Sequence, residues 1–301
     1  MYGDIIQMKP PFGYYGAKYK IASKIIESLP PHYAWVEAFC GSAALTVSKA
    51  PSPIEIINDI DDQIINLFEQ LRNNSEELIN AIRLTPYARA EYFNAYNACK
   101  SDIPLEKARK FLVATMMTVN GAFGETSAGF SYSQSYSRDG KEARVSRWNN
   151  LPERLKLVVE RIKSVRVENR DARELLEMFY NRPATLFYMD PPYPIDRMHR
   201  YNHDSIEESF HIDLLNLCLK SKCMLLVSSY DNELYNEYLS SKNGWTKVVI
   251  NTQTGDTTGK KYSRKEVLWK NSQYVKAFES GRIPIRLSQK EKKYKKLNPE
   301  R

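Results

Sequence analysis

The tightest constraint on the fold of this chain is the run Ala184–Met189, ATLFYM, which stops against Asp190-Pro191-Pro192-Tyr193. A short, almost unbroken apolar run of this kind reads as a strand buried on both faces, as in a parallel sheet covered by helices. The two prolines fix φ near −65° and lack N–H donors, so the strand has to end there. The chain then turns at the edge where open α/β sheets carry their ligands.

The flanking sequence has the same rhythm. Ile21–Leu29 reads as a short amphipathic helix stopped by Pro30-Pro31, and Tyr33–Phe39 as a strand. Gly41-Ser42 breaks the strand, and Ala43–Lys49 resumes as helix. Ile54–Ile60 is a second strand and Asp61–Arg72 a second helix, a β-α-β-α order that implies parallel pairing. After Leu151 come a helix to Lys163, a strand at Val165–Asn169, a helix at Ala172–Tyr180 and then ATLFYM. A helix around Ser209–Leu219, a strand at Met224–Ser228 and a helix near Glu233–Ser240 follow. Two candidate strands, Thr246–Thr252 and Lys265–Trp269, finish the domain.

Between these halves the pattern changes. Thr85–Met117 reads as helical, and Asn120–Asn150 turns polar and rich in Gly, Ser and Tyr, too long for an ordinary connection. The expected organisation is one α/β domain from residues 1–84 and 151–276, an insertion at 85–150 and a tail at 277–301.

A hydrophobic fraction of 42% supports a buried core, and no apolar run approaches the roughly 20 residues of a membrane span. Met1–Pro11 has no apolar signal stretch, so a cytoplasmic protein is expected, in a bacterial or phage-infected cell. Cys40, Cys99, Cys218 and Cys223 lack the patterned spacing of a zinc site or disulfide framework, so no metal is expected. The net charge of +8 is localised: residues 1–84 carry −3 and 151–276 carry +3, while 85–150 carry +3 and 277–301 carry +5. A basic excess is the usual footprint of a nucleic-acid partner, although Lys290–Lys296 reads equally as a solvated tail.

Two elements carry chemistry. In Asp190-Pro191-Pro192-Tyr193 the rigid carbonyls and the Asp190 carboxylate offer acceptors to an exocyclic amino group, and Tyr193 offers a face for stacking a base. In Glu37-Ala38-Phe39-Cys40-Gly41-Ser42, a strand–glycine–helix turn lets a ligand approach the backbone and meet a helix start. Asp59, closing the next strand, is placed to accept from ribose hydroxyls, or else to cap the helix beginning at Asp61. The glycine-rich run of a nicotinamide oxidoreductase is missing.

With these elements in this order, the chain resembles the Dam-like (alpha-group) family of DNA adenine-N6 methyltransferases over most of residues 9–271. Pro11-Phe12-Gly13-Tyr14-Tyr15-Gly16-Ala17-Lys18 matches the family's P-F-x-x-W-x-G-G-K stretch, with Tyr14 for Trp and Ala17 for Gly. Glu37-Ala38-Phe39-Cys40-Gly41 matches E-P-F-x-G with Ala38 for Pro, and Asn58-Asp59-Ile60-Asp61 corresponds to N-D-x-N. Asp190-Pro191-Pro192-Tyr193 matches D-P-P-Y throughout, and Asn120-Gly121 opens the family's N-G region, here without its usual central Arg and Asn. The resemblance implies a Rossmann-like S-adenosylmethionine-dependent methyltransferase fold with an inserted, mostly helical target-recognition domain at 85–150.

It also implies that Tyr14, Lys18, Phe39, Gly41, Asp59, Asp171 and Asp190 bind S-adenosylmethionine, with Asp171 accepting from the cofactor's adenine. Asp190, Pro191, Pro192 and Tyr193 are the expected catalytic corner, acting on an adenine extruded from the duplex. Asn120, Tyr132, Arg138, Lys141, Arg144 and Arg147 are the expected contacts to double-stranded DNA, through phosphates, sugars or guanine edges. A solvated surface role is as good a reading for each singly. His199, His203 and His211 are too irregularly spaced for a metal, and Arg264 and Glu266 read as structural. A cognate restriction endonuclease is compatible with this reading. The competing readings are an RNA adenine methyltransferase and an inactive DNA-binding protein of methyltransferase fold.

Overall fold

The computed structural model describes residues 8–13, 18–97, 103–119, 129–132, 140, 142–192, 207–255 and 261–284. The first half holds α1 (Ala22–Glu27), β1 (Ala34–Glu37), α2 (Ala44–Ser48), β2 (Ile54–Asn58), α3 (Asp62–Asn73) and α4 (Ser75–Leu84). Then come α5 (Arg89–Asn97), α6 (Pro104–Met117), α7 (Ala143–Asn149) and α8 (Leu151–Ile162). The α/β alternation resumes with β3 (Val165–Glu168), α9 (Ala172–Phe179), β4 (Thr185–Met189), α10 (Glu208–Lys220) and β5 (Met224–Ser229). The last elements are α11 (Glu233–Tyr238), β6 (Trp245–Gly255), β7 (Lys261–Asn271) and α12 (Ser272–Ser280).

One seven-stranded sheet has the order β3-β2-β1-β4-β5-β7-β6. The first five strands are parallel, and β7 enters antiparallel between β5 and β6. Alternation along the central strands supplies both faces of the core. Val36, Phe187, Met189, Leu225, Val227, Val267 and Trp269 point to a cluster roofed by α9, α10 and α11. Their neighbours Trp35, Leu186, Tyr188, Met224, Leu226 and Leu268 point the other way, onto α1, α2 and α12.

Beyond β2 that second face carries a helical layer. The Asp61 side chain caps α3 by accepting from Gln63 N at 2.8 Å, and the helix buries Ile64, Ile65, Leu67, Phe68 and Leu71. Helix α6 starts with Pro104 after the extended Ile103 and is buried almost all round from Phe111 to Met117. A single apolar cluster joins α3, α4, α6 and α8 with Tyr92 and Ala95 of α5. Among the described residues, α5 and α6 therefore share the core of the α/β elements.

Several sequence expectations need amendment. The stretch Thr85–Met117 is two helices, and α4 had not been anticipated because only Asn74 separates it from α3. The boundary at 276/277 cuts through α12, whose Tyr274 and Ala277 are buried, so the tail starts later. Within 120–150 the chain forms α7, and an isolated antiparallel bridge pairs Thr118, just after α6, with Phe130.

Candidate active site

Parallel strands bring their C-terminal ends to one edge of the sheet. Phe39 and Gly41 follow β1, Asp59 follows β2, Asp171 follows β3 and Asp190 follows β4. Four stretches far apart in sequence are thus assembled along one rim.

The turn after β1 is tight. Cys40 N donates to Asn58 O at 2.8 Å and Ala43 N to Cys40 O at 2.7 Å. Gly41 has φ +48° and Ala43 φ +52°, the one non-glycine in the left-handed region among the described residues. An alanine there costs about 1–2 kcal/mol, strain held at the edge of the ligand cleft. Gly41 N donates to Asp59 Oδ2 at 2.8 Å, and Asp61 N to Asp59 Oδ1 at 3.1 Å. Of the two readings left open for Asp59, the helix cap falls to Asp61, while Asp59 ties the glycine turn to the end of β2. Burial pushes the Asp59 carboxyl up to about 6, against the pull of those backbone donors. Asn58 locks the rim from beneath: its Nδ2 donates to Ala38 O at 2.9 Å and Arg170 O at 3.0 Å, and its Oδ1 accepts from Arg170 N at 3.0 Å.

Asp190 is held by a cation and a hydroxyl from two other elements. Lys18 Nζ lies 2.7 Å from Oδ1 and 2.6 Å from Oδ2. Ser228 Oγ donates to Oδ1 at 2.9 Å and sits 2.8 Å from Tyr188 OH. With its one hydrogen directed at Asp190, Ser228 receives the Tyr188 proton, giving the chain Tyr188→Ser228→Asp190. Lys18 also pairs with Glu266 of β7, at 3.3 Å. Glu266 is therefore part of the charged network, a correction to its structural reading from sequence. Beneath lies Glu37, 3% exposed, accepting from Thr46 N at 2.9 Å and from the Thr46 hydroxyl. Burial, with some repulsion from Asp190, raises its carboxyl to about 7.

At the other end of the rim, Asp171 caps α9 by accepting from Arg173 N at 2.8 Å and from the Arg173 guanidinium Nη2 at 2.6 Å. The bond from Arg173 holds this carboxyl below its ordinary value. The same guanidinium lies 4.7 Å from the Phe210 ring centroid, and Phe210 meets Phe39 edge-on at 6.4 Å. Phe39 and Asp171, read singly from sequence, thus belong to one aromatic–charged wall.

Of the residues expected on the nucleic-acid side, Arg144 and Arg147 lie on α7, and Tyr132 is exposed at 69% with Arg89 6.0 Å from its ring centroid. Tyr14, Tyr193, Asn120, Arg138 and Lys141 lie outside the described residues. Pro191 and Pro192 directly follow β4, as the sequence requires. His211 is buried in α10 beside Tyr235 OH, at 2.9 Å. Sequence reasoning passed over Ser228, which looks like an ordinary strand residue, and Glu37, which looks like part of the glycine turn.

A sequence model of the D12 class N6 adenine-specific DNA methyltransferases matches residues 14–253. The chain belongs to this family. The reaction of this methyltransferase is therefore methyl transfer to the N6 of adenine, with S-adenosylmethionine as donor. Its sheet is that of a Rossmann-like methyltransferase, with the antiparallel β7 inserted beside β6. A solved structure, the rRNA methyltransferase aviRa from Streptomyces viridochromogenes, is similar over 88% of this chain and 89% of that one, with 13% identity and a TM-score of 0.35. Among the described residues no helix is long and apolar enough to cross a membrane.

The rim fits the donor. It offers the mostly buried Asp59 carboxylate, which keeps some exposure at the rim, for hydroxyls, and Ser42 Oγ, buried in the glycine turn, has no hydrogen-bond partner. Alongside stand Asp190 with Lys18, and the wall of Phe39 and Asp171.

Proposed function

We propose that this methyltransferase acts on adenine at specific sites in double-stranded DNA, taking the base out of the stack into the corner formed by Asp190, Pro191, Pro192 and Tyr193. The observation that carries this reading is the fixation of Asp190 at the end of β4 by Lys18 and Ser228, next to two prolines. The prolines offer carbonyl acceptors and no competing N–H, so the corner is suited to hold an amino group by its two hydrogens. Extruding an adenine costs on the order of a few kcal/mol, partly offset by stacking on Tyr193.

S-adenosylmethionine supplies a methyl group on a cationic sulfur, reactive enough for an amine nitrogen to take it without a metal or protein nucleophile. Asp59, Phe39, Gly41 and Asp171 would hold the donor along the rim, with Tyr14 stacking and Lys18 bridging to Asp190. The work of Asp190 is orientation of N6 and stabilisation of the positive charge that grows on it as the methyl–sulfur bond breaks and the neutral thioether leaves; the methylated amino group then gives one proton to solvent. Target reading is assigned to residues 85–150, with Asn120, Tyr132, Arg138, Lys141, Arg144 and Arg147 facing the duplex and α5 and α6 bracing them. Residues 1–84 and 151 to the end of α12 form the catalytic domain, and the basic end beyond it adds phosphate attraction. A restriction endonuclease partner and a bacterial or phage-infected cytoplasm accord with this reading.

The test uses unmethylated duplex DNA and methyl-labelled S-adenosylmethionine, with nucleosides analysed by mass spectrometry. Labelled N6-methyladenine is expected with the wild type. With Asp190→Ala it should vanish while DNA affinity stays within about threefold. Full turnover by Asp190→Ala would overturn the mechanism, and label appearing only on RNA would overturn the substrate.

A further inference from the structure

Several arginines of this chain have carboxylate partners: Arg161 pairs with Glu55, Arg109 with Glu91 and Glu106, and Arg173 with Asp171 and Asp213. Arg144, Arg147 and Arg154 lie together and form no ion pair among the described residues. Arg154 of α8 and Arg147 of α7 both direct Nη2 at the thioether of Met116, at 3.7 Å and 3.8 Å. A thioether is only a weak acceptor. Arg154 Nε is buried with no hydrogen-bond partner. Among the described residues no carboxylate influences either group: burial and the Arg147 charge lower Arg154 to about 10, and burial and Arg144 lower Arg147.

Clustered cations without a counter-ion, one of them largely buried, are destabilising unless an anion joins them. The cluster also lies close to the catalytic rim. Gly13 backs directly onto Arg147, since a Cβ there would fall 2.8 Å from its Nη2. Tyr19 is near enough to Arg154 to influence it, and its neighbour Lys18 holds Asp190. Part of Arg147 is packed against Gly13 and the rest of the residue remains exposed, so the cluster opens to solvent, and α7 brings it from the segment assigned to target reading.

We propose that Arg144, Arg147 and Arg154 form a phosphate-binding pocket that grips one backbone phosphate of the DNA strand, with Arg154 as its floor. The inference rests on the reading of the substrate as duplex DNA. It adds a contact from α8, outside the insertion, and explains why a cation is held there unpaired. Guanidinium forks suit phosphate oxygens, and an anion at the mouth would neutralise all three groups together.

The experiment compares wild type, Arg154→Met and Arg154→Lys in two measurements. Duplex binding is followed against salt, and thermal unfolding is followed in sodium sulfate against sodium chloride of equal ionic strength. Arg154→Met should melt at or above the wild-type temperature, because an unpaired charge has gone, and should lose the sulfate-specific stabilisation. Its DNA affinity should fall roughly tenfold or more, with the slope of log K against log salt shallower by about 1. Arg154→Lys should retain most of the slope. A lower melting temperature or failure to fold in Arg154→Met, with Arg154→Lys binding DNA as wild type, would make Arg154 a core residue and overturn the pocket. An unchanged slope with a raised KM for S-adenosylmethionine would give the anion to the cofactor and overturn it too. If the wild type does not bind duplex DNA at all, the substrate reading fails by itself. The Arg154-dependent sulfate shift then still decides whether the pocket takes an oxyanion.

Discussion

Glu37→Gln isolates the energy stored beneath the catalytic rim. Glu37 is 3% exposed, and its carboxyl is raised to about 7 by burial, opposed by the two donors of Thr46. In the unfolded chain it titrates as an ordinary glutamate near 4.5. Between those values the folded state holds a proton that the unfolded state has lost, so stability falls as pH rises through this window and levels off above about 7. The gap corresponds to roughly 3 kcal/mol at pH 8. Glutamine keeps an oxygen for Thr46 and carries no charge. The variant should thus match the wild type near pH 4.5 and exceed it increasingly up to about pH 7, reaching roughly 5 °C in melting temperature at pH 8. Paired thermal melts in half-unit steps of pH would measure this gap. A gap that stays constant from pH 5 to 8.5 would refute the reasoning, because it would mean that Glu37 does not change ionisation in the folded protein.

Ser228→Ala removes the hydrogen bond to Asp190 Oδ1 and strands the buried Tyr188 hydroxyl. Loss of a hydrogen bond to a charged group, about 1.5–3 kcal/mol, should lower kcat roughly ten- to a hundredfold. The KM for S-adenosylmethionine should change little, and Ser228→Thr should recover much of the rate; an unaltered kcat would leave Ser228 as a packing residue. Glu55→Ala should destabilise by about 3–5 kcal/mol in urea unfolding. Glu55 accepts from Lys49 at 2.6 Å and from Arg161 at 2.6 Å and 2.9 Å, and both cations are buried. A loss below about 1 kcal/mol would mean that water replaces the carboxylate.

Local pattern was enough to determine the parallel sheet and its ligand-bearing rim. Runs such as ATLFYM and MLLVSS are apolar on both faces, and a strand so built has to be covered twice. Gly41, Asp59 and Asp190 could be placed because each lies at or just beyond the end of a strand, and strand ends in a parallel sheet share one edge. Whether α4 follows α3, and how far α12 extends, depends on breaks of a single residue that periodicity blurs. Tertiary structure alone decided what those rim residues touch. Lys18 and Asp190 are 172 positions apart, and Ser228 is 38 beyond Asp190. Glu266 arrives only because β7 inserts antiparallel between β5 and β6. Likewise Arg147 and Arg154 look like two solvated charges along the sequence, and only the packing of α7 and α8 against Met116 brings them to face one sulfur, without a counter-ion among the described residues. Periodicity is a property of neighbours along the chain, whereas charge compensation belongs to neighbours in space, which the crossovers and strand register select.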